Sequence, residues 1–320
     1  MSVRPSRAGA RPALRPAAGL PPAAEAPARL RVGIVGAGRV GAVLGAALSA
    51  AGHDVVAASG LSPASQARAA RLLPGVPLLP ADEVVAASDL VVLAVPDDTL
   101  AGLVAGLADT GAWRRGQLLF HTSGAHGLAV LEPAERAGVL CLALHPAMTF
   151  SGGAEDLHRV VAAPFGVTSR PEHRAVAETL VLEMGGDPCW VDESDRGLYH
   201  AALVTGANHL VTLVAEAADL LRTAGVADPA RVLGPLLTAA LDNGLRRGDR
   251  GLTGPVSRGD VGTVAAHLQT LTERAPSSLD AYVALARRTT ERALAAGRLK
   301  RHEGAPLLEL LSGSTEEAAR

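Results

Sequence analysis

Cysteine is nearly absent from the 320 residues: Cys141 and Cys189 are the only two, and neither sits in a C-x-x-C spacing. A zinc ribbon, a redox pair and a disulfide framework therefore lack their raw material. No metal site is expected, and a reducing, cytoplasmic setting is the default. Aromatic side chains make up only 2% of the chain, too few for the stacking platforms that single-stranded nucleic acid needs. Charge of one sign is also lacking. Thirty basic and 32 acidic residues leave a formal net charge of −2, so no long-range field draws phosphate backbones or anionic lipid. Neither nucleic acid nor membrane is expected as a partner. Lysine occurs once, as Lys300, so any chemistry that depends on a lysine side chain must use it or be absent.

What is present is apolar. At 48% apolar and 19% charged residues the chain can bury a full core and is long enough for two domains. The 35 glycines and 21 prolines follow no fixed period, which excludes collagen-like and low-complexity architectures. Residues 1–29 combine Arg4, Arg7, Arg11, Arg15 and Arg29 with many Ala and Pro and a single acid, Glu25, and read as a disordered tail. The most apolar windows, near 30–57 and 197–225, are interrupted by Arg39, His53 and Asp54 or by His200, Asn208, Glu216 and Asp219, so no membrane span is expected.

From Leu30 short Val/Leu/Ile runs alternate with helical spacing, the pattern of an α/β doubly wound parallel Rossmann sheet. Strands are predicted over 31–35, 54–58, 89–95, 117–121 and 139–144, with edge strands near 165–168 and 188–191. Helices are predicted over 39–51, 62–72, 98–108, 126–137 and 172–184. Beyond residue 192 the strand signals stop. Helical spacing through 195–224, 228–247, 260–273 and 277–297 predicts an all-helical C-terminal domain over 193–312, interrupted by an irregular loop at 248–259 and followed by a flexible end at 313–320.

The strand Arg31–Val35 runs straight into Gly36-Ala37-Gly38-Arg39-Val40-Gly41 and then into an Ala-rich helix. In that context Gly36 permits a tight turn, Gly38 lets a diphosphate approach the backbone, and Gly41 lets helix and strand pack closely. A dinucleotide site is therefore expected at residues 36–41. Where an NAD-type site carries a carboxylate, at the end of the second strand, the chain reads Ala57-Ala58-Ser59-Gly60. With Ser59, Arg68 and Arg39 nearby, a 2′-phosphate meets no repulsion, so NADP is favoured and NAD remains possible. Val95 and Pro96, at the end of the third strand, are expected to touch the nicotinamide half.

Two further strand ends, His121-Thr122-Ser123-Gly124 and His145-Pro146, carry polar groups to the same edge, which suggests a pocket for a small-molecule substrate. Ser123 either bonds a substrate oxygen or caps the helix after it. On the first helix of the second domain, His200 and Asn208 are eight residues apart, which leaves them about 80° apart around the axis on one flank. There one can protonate a carbonyl while the other orients cofactor or substrate. Arg258, beside Ser257 in the Gly/Pro-rich loop, can offer a fork to a carboxylate, and Asp260 reads as an N-cap.

Taken together, the glycine motif, VPDD, HTSGA, HPAMTF, the YHAA…N helix and GPVSRGD resemble an uncharacterised branch of predicted oxidoreductases in the 6-phosphogluconate dehydrogenase-like superfamily, over about residues 30–312. The branch is similar to the alternative type of ketopantoate reductase. The resemblance implies NADPH-dependent reduction of a small 2-oxo acid, with 2-dehydropantoate as the leading substrate, and a homodimer. In better-known relatives a catalytic Lys begins the first long helix of the second domain, with an Asn downstream. Here His200 stands in the Lys position and Asn208 fits the Asn. The resemblance thus implies that His200 is the proton donor, with Asn208 and Ser123 orienting and Arg258, His145 and Ser257 contacting substrate. A non-catalytic NAD(P)-binding sensor, an imine reductase and a prephenate-type dehydrogenase are the alternatives.

Overall fold

The computed structural model describes residues 29–318, with side chains through Gly313. The tail expected over 1–29 lies outside this range except for Arg29, whose Nε donates to the Gly52 carbonyl. By packing, the chain divides into two compact units, Met1–Ala201 and Ala202–Arg320.

The first unit is built on β1 (Arg31–Val35), α1 (Arg39–Ala50), β2 (Asp54–Ser59), α2 (Pro63–Leu72), α3 (Ala81–Ala87), β3 (Leu90–Leu93), α4 (Asp97–Asp109), β4 (Leu118–His121), α5 (Glu132–Arg136), β5 (Leu140–Pro146), α6 (Glu155–Val160), β6 (Pro164–Ser169), α7 (Arg174–Glu183) and β7 (Asp187–Trp190). The seven strands lie in the order β2-β1-β3-β4-β5-β6-β7. Pairing is parallel from β2 to β5. It turns antiparallel between β5 and β6, and β6 and β7 are parallel to each other. The Rossmann expectation therefore holds with one correction: the last two strands, β6 and β7, run against the rest, and of these only β7 is an edge. Strand β6 pairs with β5 as the returning arm of the 147–163 connection, so β6 and, through it, β7 run opposite to β1–β5.

Both faces of the sheet are covered, which explains the unbroken apolar runs of the strands. Val32, Ile34, Phe120 and Leu142 pack with Leu44 and Leu48 of α1 and Val181 of α7 on one face. Val35, Val91, Leu93 and Leu119 pack with Leu100 and Val104 of α4 on the other. Each fully buried leucine contributes about 2 kcal/mol of transfer free energy. The strand order reverses where β1 lies between β2 and β3, so a crevice opens beyond the carboxyl ends of β1 and β3. In sheets of this kind that is where ligands bind.

The helix predicted over 126–137 shrinks to a short turn at Ala129–Leu131 and the single-turn α5. Its front end is held as a loop by side chains from elsewhere: the Gly127 carbonyl is taken by His121, and the Leu128 and Ala129 N–H groups donate to Glu193. Helices α3 and α6, of seven and six residues, are too short to show a period in sequence.

Helix α8 (Arg196–Thr223) begins in the first unit and continues into the second. The second unit continues with α9 (Pro229–Arg247), α10 (Val261–Arg274), α11 (Leu279–Ala295) and α12 (Arg301–Ala318). Val264, Leu268, Val283, Ala293, Leu307 and Leu311 form its core. The expected loop 248–259 contains two short helical turns, Gly248–Gly251 and Val256–Arg258. Asp260 caps α10 as predicted, its carboxylate accepting from the Thr263 N–H at 3.0 Å. Helix α12 went unpredicted and carries the chain to Ala318, through most of the segment expected to be flexible. Leu236 of α9 is 62% exposed and Leu245 is 80% exposed. The stretch Glu193–Thr223 is, by length and composition, apolar enough to cross a membrane, with mean hydropathy 1.3 over a window none of which is buried. Its spaced polar residues do not lower the mean enough to bar that reading, contrary to the sequence expectation.

Candidate functional site

The glycine turn does what its spacing implies, and the three glycines differ in why they are needed. Gly36 has φ +97°, and a Cβ on it would stand 2.5 Å from the Ala94 carbonyl oxygen. A Cβ on Gly41 would stand 2.1 Å from the Gly36 oxygen and 2.9 Å from the Ala94 Cβ. Both are demanded by the fold. Gly38 is not: a Cβ there would meet nothing nearer than the Gly36 oxygen at 3.9 Å. The space in front of Gly38 fits a ligand, and no side chain caps α1, so its first N–H groups and the positive end of its dipole face that space. The end of β2 fastens the turn from behind: the Gly36 N–H donates to Ser59 Oγ at 3.0 Å and the Ala37 N–H to the Ser59 carbonyl at 2.7 Å.

A second corner, on α1 and α2, is rich in arginine. Gly152 has φ +82°, and a Cβ on it would fall 2.6 Å from Arg68 Nε and 2.8 Å from Arg39 Cγ, so these two side chains close on the same backbone. Arg71 Nη2 donates to the Gly152 carbonyl at 2.6 Å. From below, buried Asp156 accepts the Gly152 N–H at 2.7 Å and the Ser151 hydroxyl at 3.1 Å. Arg39 and Arg68 were expected here. Arg71 was not, although it lies one turn along α2 from Arg68, and the 151–153 loop was not, because it is brought in by α6 packing on α1.

At the crevice a cavity of about 410 Å³ opens, within the usual size of small-ligand sites. Gly38, Arg39 and Val40 line it from the glycine turn, and Val95, Pro96 and Asp97 from the end of β3. Ser123 and Gly124 come from the end of β4, His145 from β5, and His200 from the first turns of α8. Gly124 separates the two imidazoles: a Cβ on it would lie 2.7 Å from His200 Cδ2 and 3.0 Å from His145 Nε2. The rings meet edge to face, with centroids 6.2 Å apart. Burial, followed by the charges of Arg196 and His200, lowers His145 to about 4, so its ring is neutral near pH 7. Ser123 Oγ accepts the N–H groups of Ala125 and His126, fixing the loop after β4 as an Ser-type turn. Its hydroxyl proton has no acceptor among the described residues. Asp97 and Asp98 lie in the first turn of α4, where Pro96 is the N-cap.

Three predicted residues fall in the second unit. Asn208 is exposed on α8, and its carbonyl accepts the Thr212 hydroxyl. Ser257 is buried, with Oγ donating to the Gly254 carbonyl at 3.1 Å. Arg258 is exposed; its backbone N–H donates to the Pro255 carbonyl at 3.1 Å, and its guanidinium makes no hydrogen bond among the described residues.

Comparison with known proteins agrees with this architecture. The Rossmann-like domain family matches residues 20–146, and the family described as Domain of unknown function (DUF2520) matches residues 163–289. A Bacteroides fragilis protein assigned as an NADP oxidoreductase is similar with a TM-score of 0.68 at 23% identity, over 82% of this chain and 98% of that one. An imine reductase from Pseudomonas sp. gives 0.59 at 18% identity, over 88% and 99%. A reductive aminase from Aspergillus terreus, in complex with NADPH and ethyl-5-oxohexanoate, gives 0.54 at 18%, over 90% and 94%. At such identities the likeness is one of fold. No curated protein matches the chain.

Sequence reasoning missed two side chains behind the cavity. Arg196 is 1% exposed, and its guanidinium donates to the carbonyls of His126, Gly166 and Ser123. Tyr199 places its hydroxyl 2.9 Å from His145 Nδ1. Three-residue spacing puts both on one face of α8, a signal that was readable, but their partners were not.

His121, read from sequence as part of the pocket, is instead a structural residue. It is fully buried, its Nδ1 accepts the Ser123 N–H at 3.1 Å, and its Nε2 donates to the Gly127 carbonyl at 2.8 Å. Burial lowers it to about 4, opposed by the Gly127 bond. The folded protein thus keeps His121 neutral while the unfolded chain protonates near 6.5, so stability is lost as pH falls from about 6.5 to 4. The loss expected from this one group is about 3 kcal/mol. Urea unfolding across that range should show the slope, and His121→Asn should reduce it, leaving the share of His145, which is shifted the same way; an unchanged slope in the variant would remove His121 as a source.

Proposed function

We propose that the chain is a nicotinamide-dependent oxidoreductase that reduces the carbonyl of a small 2-oxo acid, with NADPH preferred and 2-dehydropantoate, giving pantoate, as the leading substrate. One observation carries the reading: a single cavity at the strand-order reversal joins an uncapped helix start and a ligand-sized space at Gly38 to two imidazoles and a serine hydroxyl. Residues Gly36 to Gly41 would hold the diphosphate. Ser59, Arg39 and Arg68 would hold the 2′-phosphate, and Val95 and Pro96 would rest against the nicotinamide half. A reduced nicotinamide bound there supplies a hydride.

The chain itself supplies the remainder. An imidazole of the His145/His200 pair gives a proton to the carbonyl oxygen, and Ser123 orients that oxygen. Arg196, whose side-chain hydrogen bonds all go to carbonyls, lends positive potential behind the site that Glu193 offsets in part, which suits an anionic 2-oxo acid better than a neutral or cationic imine. The roles given to Asn208, Ser257 and Arg258 rest on sequence alone.

The test is oxidation of NADPH and NADH by a panel of 2-oxo acids and cyclic imines. Turnover with a 2-oxo acid is expected, with NADPH preferred by about tenfold or more, since a phosphate meeting an arginine corner is worth over 1 kcal/mol. NADPH binding with no oxidation by any panel member would make the protein a cofactor-binding module instead.

A further inference from the structure

The cavity has a proton supply built behind it. Strand β5 carries His145 opposite Gly166 of β6, and α8 brings Tyr199 against that pair. The phenol hydroxyl lies 2.9 Å from His145 Nδ1, and the rings meet edge to face with centroids 5.6 Å apart. Gly166 makes the approach possible, because a Cβ on it would fall 2.5 Å from the phenol oxygen. The guanidinium of Arg196 lies 5.8 Å from the phenol ring and is itself bonded to the Gly166 carbonyl. On the other side of the imidazole, Nε2 reaches the cavity at Gly124. His200 lines the same cavity but has no hydrogen-bond partner among the described residues to fix its tautomer or resupply a proton.

Resting on the function proposed above, we propose that Tyr199 and His145 form a proton relay in which His145 Nε2 is the donor to substrate and Tyr199 is the positioning residue that refills it. In this relay the phenol donates to Nδ1, which requires the neutral imidazole to carry its proton on Nε2. As the carbonyl carbon gains a hydride from reduced nicotinamide dinucleotide, the Nε2–H bond breaks and an O–H bond forms on the substrate oxygen. At the same time the phenol O–H bond breaks and Nδ1–H forms. The imidazole stays neutral throughout, and the negative charge that began on the substrate oxygen ends on the Tyr199 oxygen, beside Arg196. A solvent proton arriving at Nε2 drives the reverse shift and restores the phenol. Burial holds Tyr199 above the ordinary tyrosine range, with Arg196 opposing, so the proton is present at neutral pH. The charged and titratable groups facing the pair are Arg196, His200 and Asp97 at His145, and Arg196 and Cys189 at Tyr199.

Two measurements test the relay. Nitrogen NMR of the ligand-free protein, with labelled histidine, should show His145 protonated at Nε2 and bare at Nδ1; Tyr199→Phe should mix the tautomers. In steady-state kinetics Tyr199→Phe should lower kcat by about 100-fold, the scale of general-acid catalysis, while KM and NADPH affinity change little. The alkaline fall of kcat should vanish in the variant. A His145 protonated at Nδ1 in the native protein, or a Tyr199→Phe enzyme with native kcat, overturns the relay and leaves the reductase reading intact. A native protein that turns over no substrate overturns both.

Discussion

Replacing Gly38 with aspartate should weaken NADPH binding by about 100-fold or more and leave the fold standing, a loss of about 3 kcal/mol in binding. The direction follows from two separate facts. A Cβ at Gly38 would meet nothing closer than 3.9 Å, so the protein's own packing does not object to a side chain there. The space it would enter faces the uncapped start of α1, where N–H groups and the helix dipole await an anion. An aspartate would occupy that space and satisfy the same N–H groups from within, setting one negative charge against another. Gly41→Val is the matching control with the opposite outcome. Its Cβ would sit 2.1 Å from the Gly36 oxygen, so the variant should lose stability by several kcal/mol, about the tail of the range for single substitutions. A fluorescence titration with NADPH and a urea melt of each variant separate the two effects. Native affinity in Gly38→Asp would show that the turn does not receive the diphosphate.

How far the sequence revealed this arrangement depended on how local each feature was. The strand, turn and helix around Gly36 to Gly41 are contiguous, so counting residues found them; Ser59 was expected only at a 2′-phosphate, and its bonds to Gly36 and Ala37 were not read. The Tyr199–His145 contact joins residues 54 apart, and the Arg196–Ser123 bond joins residues 73 apart. No periodicity reports such pairings, because they depend on how α8 lies on β5 and β6. The error over 126–137 has the same origin. Ala and Leu spacing favoured a helix, but His121 and Glu193 took its backbone groups from a distance and held a loop that shapes the cavity. Helix α12 was missed for a local reason: Gly304 and Pro306 sit within it and read as breakers, although Gly304 is there because a Cβ would stand 2.9 Å from Leu294 of α11.

Arg196→Met should cost about 3 kcal/mol or more in stability, measured by urea unfolding near neutral pH. Methionine matches much of the volume, so the loss comes from polar groups rather than from a cavity. Three carbonyls, of His126 at 2.9 Å, Gly166 at 3.2 Å and Ser123 at 3.3 Å, lose their donors inside a region closed to water. Burial already pulls the guanidinium below its ordinary range, with Tyr199 and Glu193 opposing, so the native protein bears a desolvation cost that these bonds offset. Removing the charge also releases His145 from one of the influences that keep it neutral, and its titration should move up towards the ordinary imidazole value. Arg196→Lys should recover only part of the stability, since one ammonium cannot span two carbonyls of one loop and a third on a strand as the planar fork does. If Arg196→Met unfolds at the native urea concentration, those carbonyls are not being held by Arg196, and the loop of Ser123 and Gly124 that shapes the cavity must be fixed by the Ser123 turn and Glu193 instead.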